Sequence, residues 1–378
     1  MSGICGFVQK ESLIQSFEYF YKKMQSWNLP YGKKRSETYN GDSFLLTCYH
    51  DALTTSPLSD KLVLHIASKY AVLDAIIYNR DELIKKYSLS ATSSDEELIF
   101  SCITQYGMDT LCDINGDFAG AIYDQNEKSL TLFRDHLGVR PLYYYSSDTA
   151  VTFSTDIRGL ISLPMVDVSL NENWFYHAVC GFAYINTTHT EFEHIYSVPP
   201  ASYISFSLED MTVFTKRYWT PGENKLSLPS NKAYFEKLRE LITDSIQKRL
   251  NVFPGVIGAE LSGGLDSGVI DILINRLNRE GLYFSWSVDP SDVPLVENDE
   301  RAVISDICSQ ENIICHFPDT NGYNLKDTNS AKTINKIQGN NPESSFIFDQ
   351  FAFPPNLSAK YSFSSAKRMI SRGISIPF

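Results

Sequence analysis

The first two hundred residues alternate short runs of aromatic and β-branched residues with turn-forming residues. That pattern predicts strands, among them 43–47, 62–65, 120–123, 129–134, 142–145 and 150–154. One helix is predicted over Ser94 to Tyr106, because Ser94 and Glu97 have the spacing of a capping box and the apolar residues that follow share one face. Sheets with few helices indicate an α+β or sandwich fold for this half.

A polar segment rich in Pro, Gly and Ser, from Thr220 to Lys232, follows this half and is the predicted domain boundary. Beyond it, apolar residues recur at helical spacing over 232–250. Strands and helices then alternate, with strands at 256–261, 283–288 and 313–317 and helices at 267–279 and 300–310. Such alternation predicts a parallel α/β sheet.

Composition narrows the class of protein without choosing a function. The 378 residues carry 33 Lys+Arg against 45 Asp+Glu, a net charge of −12, and form no basic block. That balance argues against a nucleic acid or an anionic membrane surface as partner. The sequence has no run of about 18 apolar residues and no secretory start, so a cytoplasmic protein without a membrane span is expected. The seven cysteines are scattered and form no C-x-x-C pair, which is typical of buried apolar cysteines.

The strongest chemical signal is the turn LSGGLDS, Leu261 to Ser267, between a predicted strand and a predicted helix. Two glycines let the backbone come close to an anion, and the helix start directs N–H groups and its positive dipole end toward it. The serine hydroxyls add donors, and Asp266 could hold a magnesium ion that bridges phosphates. A tight turn without a ligand is the alternative interpretation.

The motif Ser262 to Ser267 resembles the pyrophosphate-binding loop of ATP-pyrophosphatase enzymes, and among them it looks like that of the asparagine synthetases. The segment Asn298-Asp299-Glu300 resembles the one that starts the next helix in that family. The resemblance implies that ATP is bound by the loop, with Val288 near the adenine and Mg²⁺ at Asp266. The loop residues implied are Leu261, Ser262, Gly263, Gly264, Leu265, Asp266 and Ser267.

The first half resembles the class II glutamine amidotransferase domain that asparagine synthetases carry. The motifs behind this resemblance are Asn115 to Ala119, Ile122 to Asp124 and Gly138 to Tyr144. It implies an Ntn-hydrolase-type sandwich over 1–218, a linker over 219–231 and, over 232–378, a parallel-sheet ATP-pyrophosphatase domain that is incomplete at its C-terminus.

The residues that would hydrolyse glutamine are largely replaced. The family's N-terminal cysteine nucleophile aligns with Ser2, and a hydroxyl is a weaker nucleophile than a thiol at neutral pH. The Asn-Gly-Glu that holds glutamine aligns with Asp74-Ala75-Ile76, which lacks both the amide donor for an oxyanion and an acceptor for the substrate ammonium group. The arginine that clamps the substrate carboxylate is missing from 46–50, and Asp95 alone is retained. Glutamine hydrolysis is therefore expected to be lost.

The resemblance implies asparagine synthetase-type chemistry, in which a carboxylate of a small molecule or peptide is adenylated with Mg-ATP. Ammonia or an amine of the substrate then displaces AMP and forms an amide. The family's acidic G-x-G-x-D-E segment and catalytic lysine have no counterpart before Phe378, so a C-terminally truncated member is expected. Two alternatives stay open: an intramolecular cyclase of the β-lactam synthetase or lasso-peptide cyclase type, and a non-catalytic homologue with a binding or structural role. A homodimer is compatible with all of these.

Overall fold

The structure is a computed structural model that describes residues 3–10, 35–50, 56–180, 188–222, 225–285, 287, 290–291, 295 and 299–317. The chain divides into two compact units, Met1–Lys225 and Leu226–Phe378. The division lies within the segment predicted as a linker. Across the described ranges, no helix is both long and apolar enough to cross a membrane.

Two antiparallel sheets make up the described part of the first unit. One sheet contains β1 (Gly3–Gln9), β2 (Arg35–Asn40), β3 (Phe44–His50), β8 (Tyr143–Ser146), β9 (Ala150–Ser154) and β10 (Tyr196–Ser197). The other contains β4 (Leu64–Ile66), β5 (Lys69–Ile77), β6 (Gly116–Asp124), β7 (Ser129–Arg134), β11 (Ser202–Ser207) and β12 (Val213–Arg217). The strand orders are β10-β8-β9-β1-β3-β2 and β12-β11-β7-β6-β5-β4.

Helices accompany the two sheets. They are α1 (Arg80–Tyr87), α2 (Asp95–Tyr106), a 3₁₀ helix (Met108–Asp113), α3 (Ile157–Ile161) and α4 (Glu172–Val179). The predicted start of α2 is confirmed: the Ser94 side chain accepts from the Glu97 N–H, and the Glu97 carboxylate accepts from the Ser94 N–H. This reciprocal pair fixes the first turn of the helix, where Asp95 and Glu96 lie.

The core of the first unit lies in layers. Side chains such as Val8, Leu46, Val72 and Leu132 form one buried cluster drawn from both sheets. A second cluster joins β5 and β6 to the apolar face of α2. Because β5 is buried on both faces, its sequence is a nearly continuous apolar run, and Asp74 is a conspicuous exception within it. The predicted α+β sandwich is confirmed for this unit.

The second unit contains a parallel three-stranded sheet with helices between its strands. Its elements are α5 (Asn231–Val252), β13 (Ile257–Glu260), α6 (Leu265–Arg276), β14 (Gly281–Phe284), α7 (Glu300–Glu311) and β15 (Cys315–His316), with the strand order β13-β14-β15. The predicted alternation of strand and helix is therefore present over the described part of this unit. The second strand ends at Phe284, earlier than the predicted 288.

Candidate functional site

The first unit brings the residues at the expected glutamine-site positions together where β5 ends and α2 begins. Asp74 and Ile76 lie two residues apart on β5, so they face the same side of the sheet. Asp95 is the first residue of α2. Ser2, the position of the predicted nucleophile, lies outside the described residues, and β1 begins at Gly3, opposite Tyr49 on β3.

Asp95 is almost fully buried, and groups of this chain hold its carboxylate. Its Oδ1 accepts from Nη1 of Arg80 at 2.6 Å. Its Oδ2 accepts from the Ile77 N–H at 3.0 Å and from the Ser56 hydroxyl at 3.0 Å. Arg80 is itself held by the carbonyl oxygens of Ala91 and Ser93. A substrate ammonium group would therefore compete with a preorganised arginine for this carboxylate.

Asp74 is also buried and has its own arginine partner. Nη1 of Arg140 lies 3.4 Å from Oδ2 of Asp74, and both side chains are shielded from solvent. Burial disfavours the charged guanidinium, but the nearby Asp74, Asp117 and Asp135 carboxylates outweigh that effect and raise the pKa of Arg140. Buried charges are tolerated only when they are paired, so Arg140 is what allows an aspartate in this strand.

Ile76 is buried and apolar, as the sequence implied. It pairs with Asp117 across β5 and β6, and it offers no acceptor. Cys5 does not compensate for the replaced nucleophile. Its side chain is fully buried, and burial raises the pKa of its thiol to about 12, so the reactive thiolate is not populated at neutral pH.

The segment 46–50, where an arginine is missing, lies beside an arginine from the neighbouring strand. Arg35 on β2 pairs directly with His50 on β3. Both line a cavity together with Glu96. Nδ1 of His50 lies 3.9 Å from Oε1 of Glu96, and burial raises the pKa of that carboxyl to about 7. Sequence reasoning missed Arg35, because only the β2–β3 register places it here.

In the second unit, the LSGGLDS turn lies between the end of β13 and the start of α6. Oγ of Ser262 and Oγ of Ser267 are 2.8 Å apart, and the Gly264 N–H donates to Oγ of Ser262 at 3.3 Å. Gly263 has φ +79°, and a Cβ there would lie 2.7 Å from the carbonyl oxygen of Glu300. The turn thus needs glycine at this position for two separate reasons.

The tip of this turn is open to solvent. Gly264, Leu265 and Asp266 are exposed, and Leu261 behind them is buried. The first N–H groups of a helix have no carbonyl partner within it, so the start of α6 presents donors at an exposed glycine-rich turn. This arrangement suits an anion such as a phosphate. Val288, expected near an adenine, lies outside the described residues.

Asp266 could contribute one ligand to a magnesium ion. No cluster of three or more His, Cys, Asp or Glu side chains suited to a metal occurs in the described ranges. Mg²⁺ commonly keeps waters and takes one or two carboxylates together with phosphate oxygens, so a single aspartate fits a metal that arrives with a nucleotide.

Sequence reasoning also missed Asp271, on the second turn of α6. It is 2% exposed, and its Oδ2 has no hydrogen-bond partner. Burial, with a further contribution from the nearby Glu260, raises the pKa of its carboxyl to about 8. An acid residue at an apolar helix position was the available signal.

Comparison with known proteins identifies the first unit. The model of the glutamine amidotransferase domain family matches residues 30–219, about half of the chain. A putative glutamine-hydrolysing asparagine synthetase 2 of Methanocaldococcus jannaschii is 28% identical over 203 residues, which are 53% of this chain and 39% of that protein. The glutamine-hydrolysing asparagine synthetase 3 of Bacillus subtilis is 27% identical over 222 residues, which are 56% of this chain and 35% of that protein.

A solved structure of glutamine phosphoribosylpyrophosphate amidotransferase from B. subtilis, complexed with ADP and GMP, aligns with 74% of this chain and 65% of its own, at 13% identity and a TM-score of 0.37. The chain spans less than half the length of the curated relatives described above. The family match covers β2 to β12, the strands that position Asp74, Asp95 and Arg140. The chain therefore belongs to the glutamine amidotransferase domain family.

Proposed function

We propose that this chain belongs to an AMP-forming ligase that adenylates a carboxylate and converts it into an amide, and that its amidotransferase unit does not hydrolyse glutamine. The carboxylate oxygen attacks the α-phosphorus of ATP and pyrophosphate leaves. The nitrogen of ammonia or of an amine then attacks the acyl carbon, AMP leaves, and the nitrogen loses a proton.

The observation that carries the ligase part of the proposal is the exposed glycine-rich turn at the start of α6. Gly263 is held in a left-handed conformation against the backbone of Glu300, which leaves the N–H groups that follow at the surface. Two serine hydroxyls within 2.8 Å of each other add donors beside them. A departing pyrophosphate can be held by backbone N–H donors, by hydroxyl groups and by the positive end of a helix dipole.

Within this proposal each turn residue has a role. Gly263 and Gly264 give the phosphates close access to the backbone. Ser262 and Ser267 donate hydrogen bonds to phosphate oxygens. Asp266 would hold a magnesium ion, which would neutralise the charge that develops on the pyrophosphate. The carboxylate that is adenylated is the unassigned substrate.

The loss of glutamine hydrolysis is supported by the pairing, within the chain, of the retained Asp95 and of Asp74, which stands in place of an asparagine. Arg80 takes one lone pair of Asp95, while Ile77 and Ser56 take others. Arg140 neutralises Asp74, and Ile76 accepts nothing. Removing orienting groups and an oxyanion donor lowers rates by about 10²-fold or more for each element. Free ammonia or a substrate amine would then supply the nitrogen.

Pyrophosphate release tests the ligase part. The full chain is incubated with Mg-ATP, a panel of carboxylates, and ammonia or amines. We expect pyrophosphate and AMP in equal amounts, and Asp266→Ala should lower the rate by about 10²-fold because the metal loses its protein ligand. Asp306→Ala, at an exposed position of α7, is the matched control and should leave the rate unchanged. ATP binding without pyrophosphate release under every combination would instead support the non-catalytic alternative.

Glutamate release tests the other part. We expect the full chain to produce no glutamate from glutamine above background. Release that is clearly above background and is abolished by Ser2→Ala would contradict the proposed loss of this activity.

A further inference from the structure

Glu300, the first residue of α7, contacts the glycine-rich turn of the second unit through its backbone. A Cβ added to Gly263 would lie 2.7 Å from the carbonyl oxygen of Glu300 and 3.0 Å from its Cβ. The two segments therefore abut with no room for a side chain between them. Because the Glu300 side chain is exposed, its carboxylate is not part of this backbone contact and is available for another role.

The helix α7 is also held against α6 further along its length. A Cβ added to Gly268, near the start of α6, would lie 3.3 Å from Cδ1 of Ile307. At the far end of both helices, Nδ2 of Asn275 donates to the carbonyl oxygen of Glu311 at 2.9 Å, and Arg276 forms an ion pair with the Glu311 carboxylate. The start of α7 is therefore fixed relative to the turn by helix packing along the whole of α6.

The side chain of Glu300 reaches a third part of the unit, the chain just after β14. Its Oε1 accepts a hydrogen bond from the Ser287 hydroxyl at 2.8 Å. The Ser287 N–H donates in turn to Oγ of Ser285 at 3.2 Å. Ser285 is fully buried, and its N–H donates to the carbonyl oxygen of His316 on β15 at 2.9 Å. Glu300 thus ties residues that follow β14 to the turn that follows β13.

These two strand ends are where a nucleotide held by the turn would lie. In open parallel sheets, ligands bind in the crevice beyond the carboxyl ends of neighbouring strands. Among the described strands, β14 is the neighbour of β13, and the two are parallel, with Glu260 paired with Phe284 at their last residues. A nucleotide whose phosphates bind at the turn after β13 would therefore extend its nucleoside toward the end of β14.

We propose that Glu300 is a positioning residue for the nucleoside of ATP, because through Ser287 it holds the chain after β14 at a fixed distance from the phosphate-binding turn. The inference rests on the proposed function, since it assumes that the turn binds the phosphates of ATP. In this role Glu300 touches neither the phosphates nor the nucleoside. Its loss should therefore weaken the binding of ATP, which spans both strand ends, and leave the binding of pyrophosphate, which needs the turn alone.

The test is a calorimetric titration of the full chain with Mg-ATP and, separately, with Mg-pyrophosphate. The decisive comparison is Glu300→Ala against Glu300→Gln. Both variants remove the negative charge and keep the backbone and Cβ that abut Gly263, but only the glutamine can still accept from the Ser287 hydroxyl. We expect ATP to bind the alanine variant about fivefold more weakly than the glutamine variant, the effect of one lost hydrogen bond. Pyrophosphate should bind the two variants equally.

Ser287→Ala removes the same hydrogen bond from its other side. It should weaken ATP binding by a similar factor in the parent chain and have no further effect in the Glu300→Ala background, because the contact is already lost there. Asp306→Ala, which removes an exposed acid of α7, is the matched control and should bind both ligands as the parent does.

The pyrophosphate titration separates a positioning role from a general folding defect, because a misfolded variant would lose both ligands. Equal ATP binding by the alanine and glutamine variants would overturn the inference. So would an equal loss of ATP and pyrophosphate binding in Glu300→Ala, or additive losses in the double variant with Ser287→Ala. In each of these cases, a parent chain that binds both ligands leaves the proposed function standing. A parent chain that binds neither ligand would overturn both the inference and the ATP site on which it rests.

Discussion

The two units handle their polar groups in opposite ways. In the first unit, Asp74 and Asp95 are buried and each faces an arginine of the same chain. In the second, the polar groups of the LSGGLDS turn lie at the surface, and Asp266 is exposed. A site whose polar groups are paired within the chain gains stability but loses affinity for an outside ligand. A site whose donors are left unpaired gains affinity for a ligand at the cost of stability. The polar groups of the turn in the second unit are therefore open to an outside ligand, whereas those of Asp74 and Asp95 in the first unit are paired within the chain.

Removing Arg140 should cause the largest loss of stability, because it leaves a buried carboxylate of the first unit unpaired. Arg140→Met leaves Asp74 as a buried charge without its partner, and it removes the guanidinium that also interacts with Asp117 and Asp135. We expect the free energy of unfolding of the first unit to fall by about 3–5 kcal/mol, measured by urea denaturation. Arg239→Met serves as a surface control.

The double variant Asp74→Asn/Arg140→Met sharpens the result. If the cost comes from an unpaired charge, the amide should recover part of the lost stability. A double variant that is no more stable than Arg140→Met would show that Arg140 contributes packing, and that the ion pair is not the reason for its burial.

Substitution of Gly263, in the glycine-rich turn, should cause the next largest loss of stability, in the second unit. Gly263→Ala combines a left-handed backbone, φ +79°, with a Cβ 2.7 Å from the carbonyl oxygen of Glu300. Gly255→Ala has a similar backbone, φ +92°, but nothing within 4 Å of the added Cβ. We expect the first to cost about 2–4 kcal/mol of unfolding free energy and the second about 1–2 kcal/mol. Equal costs would mean that the turn moves freely away from α7.

Asp271 is an exception to the contrast, because it is a buried acid of the second unit with an oxygen lacking a partner. Its pKa in the folded protein, about 8, lies above its ordinary value, so the folded state holds a proton that the unfolded state releases. Its contribution to stability therefore falls as the pH rises from about 4 to about 8.

The variant Asp271→Asn should remove that penalty and stabilise the second unit by about 1–2 kcal/mol at about pH 8. Urea denaturation at several pH values measures the effect. The gain over the parent protein should shrink toward acidic pH. A gain that is independent of pH would show that Asp271 is not protonated in the folded state.

Much of the architecture could be predicted from the sequence because it depends on local pattern. The alternation of turn residues with aromatic and β-branched runs gives the strands of the sandwich, and the Ser94–Glu97 spacing gives the start of α2. The alternation of strands and helices in the second unit could likewise be predicted from the local pattern of apolar residues. The strand predicted over 283–288 begins two residues earlier, at Gly281, and its assigned range ends at Phe284, while Trp286 and Val288 lie outside the described residues.

The site was less predictable, because its decisive contacts join distant parts of the chain. Asp95 meets Arg80 from the preceding helix, and Asp74 meets Arg140 across the fold. Sequence alone identifies a buried aspartate as needing a counter-charge, but it does not say which arginine supplies it. Arg35 is a third example, since strand register alone brings it opposite His50.

Cys5 is buried in the middle of its sheet, so the reactivity of its thiol reports local unfolding of the first unit. The thiol of Cys48 lies in the cluster between the two sheets. The thiol of Cys5, with a pKa of about 12, lies on the other face of its sheet with Tyr49 and Leu160, and both thiols are buried. An alkylating reagent can reach them only in molecules that have opened, so their modification rate measures how often the strands around them separate. Cys112 and Cys180 are exposed and provide an internal reference for reagent strength. The native cysteines therefore allow local unfolding of the first unit to be timed by mass spectrometry without an introduced label.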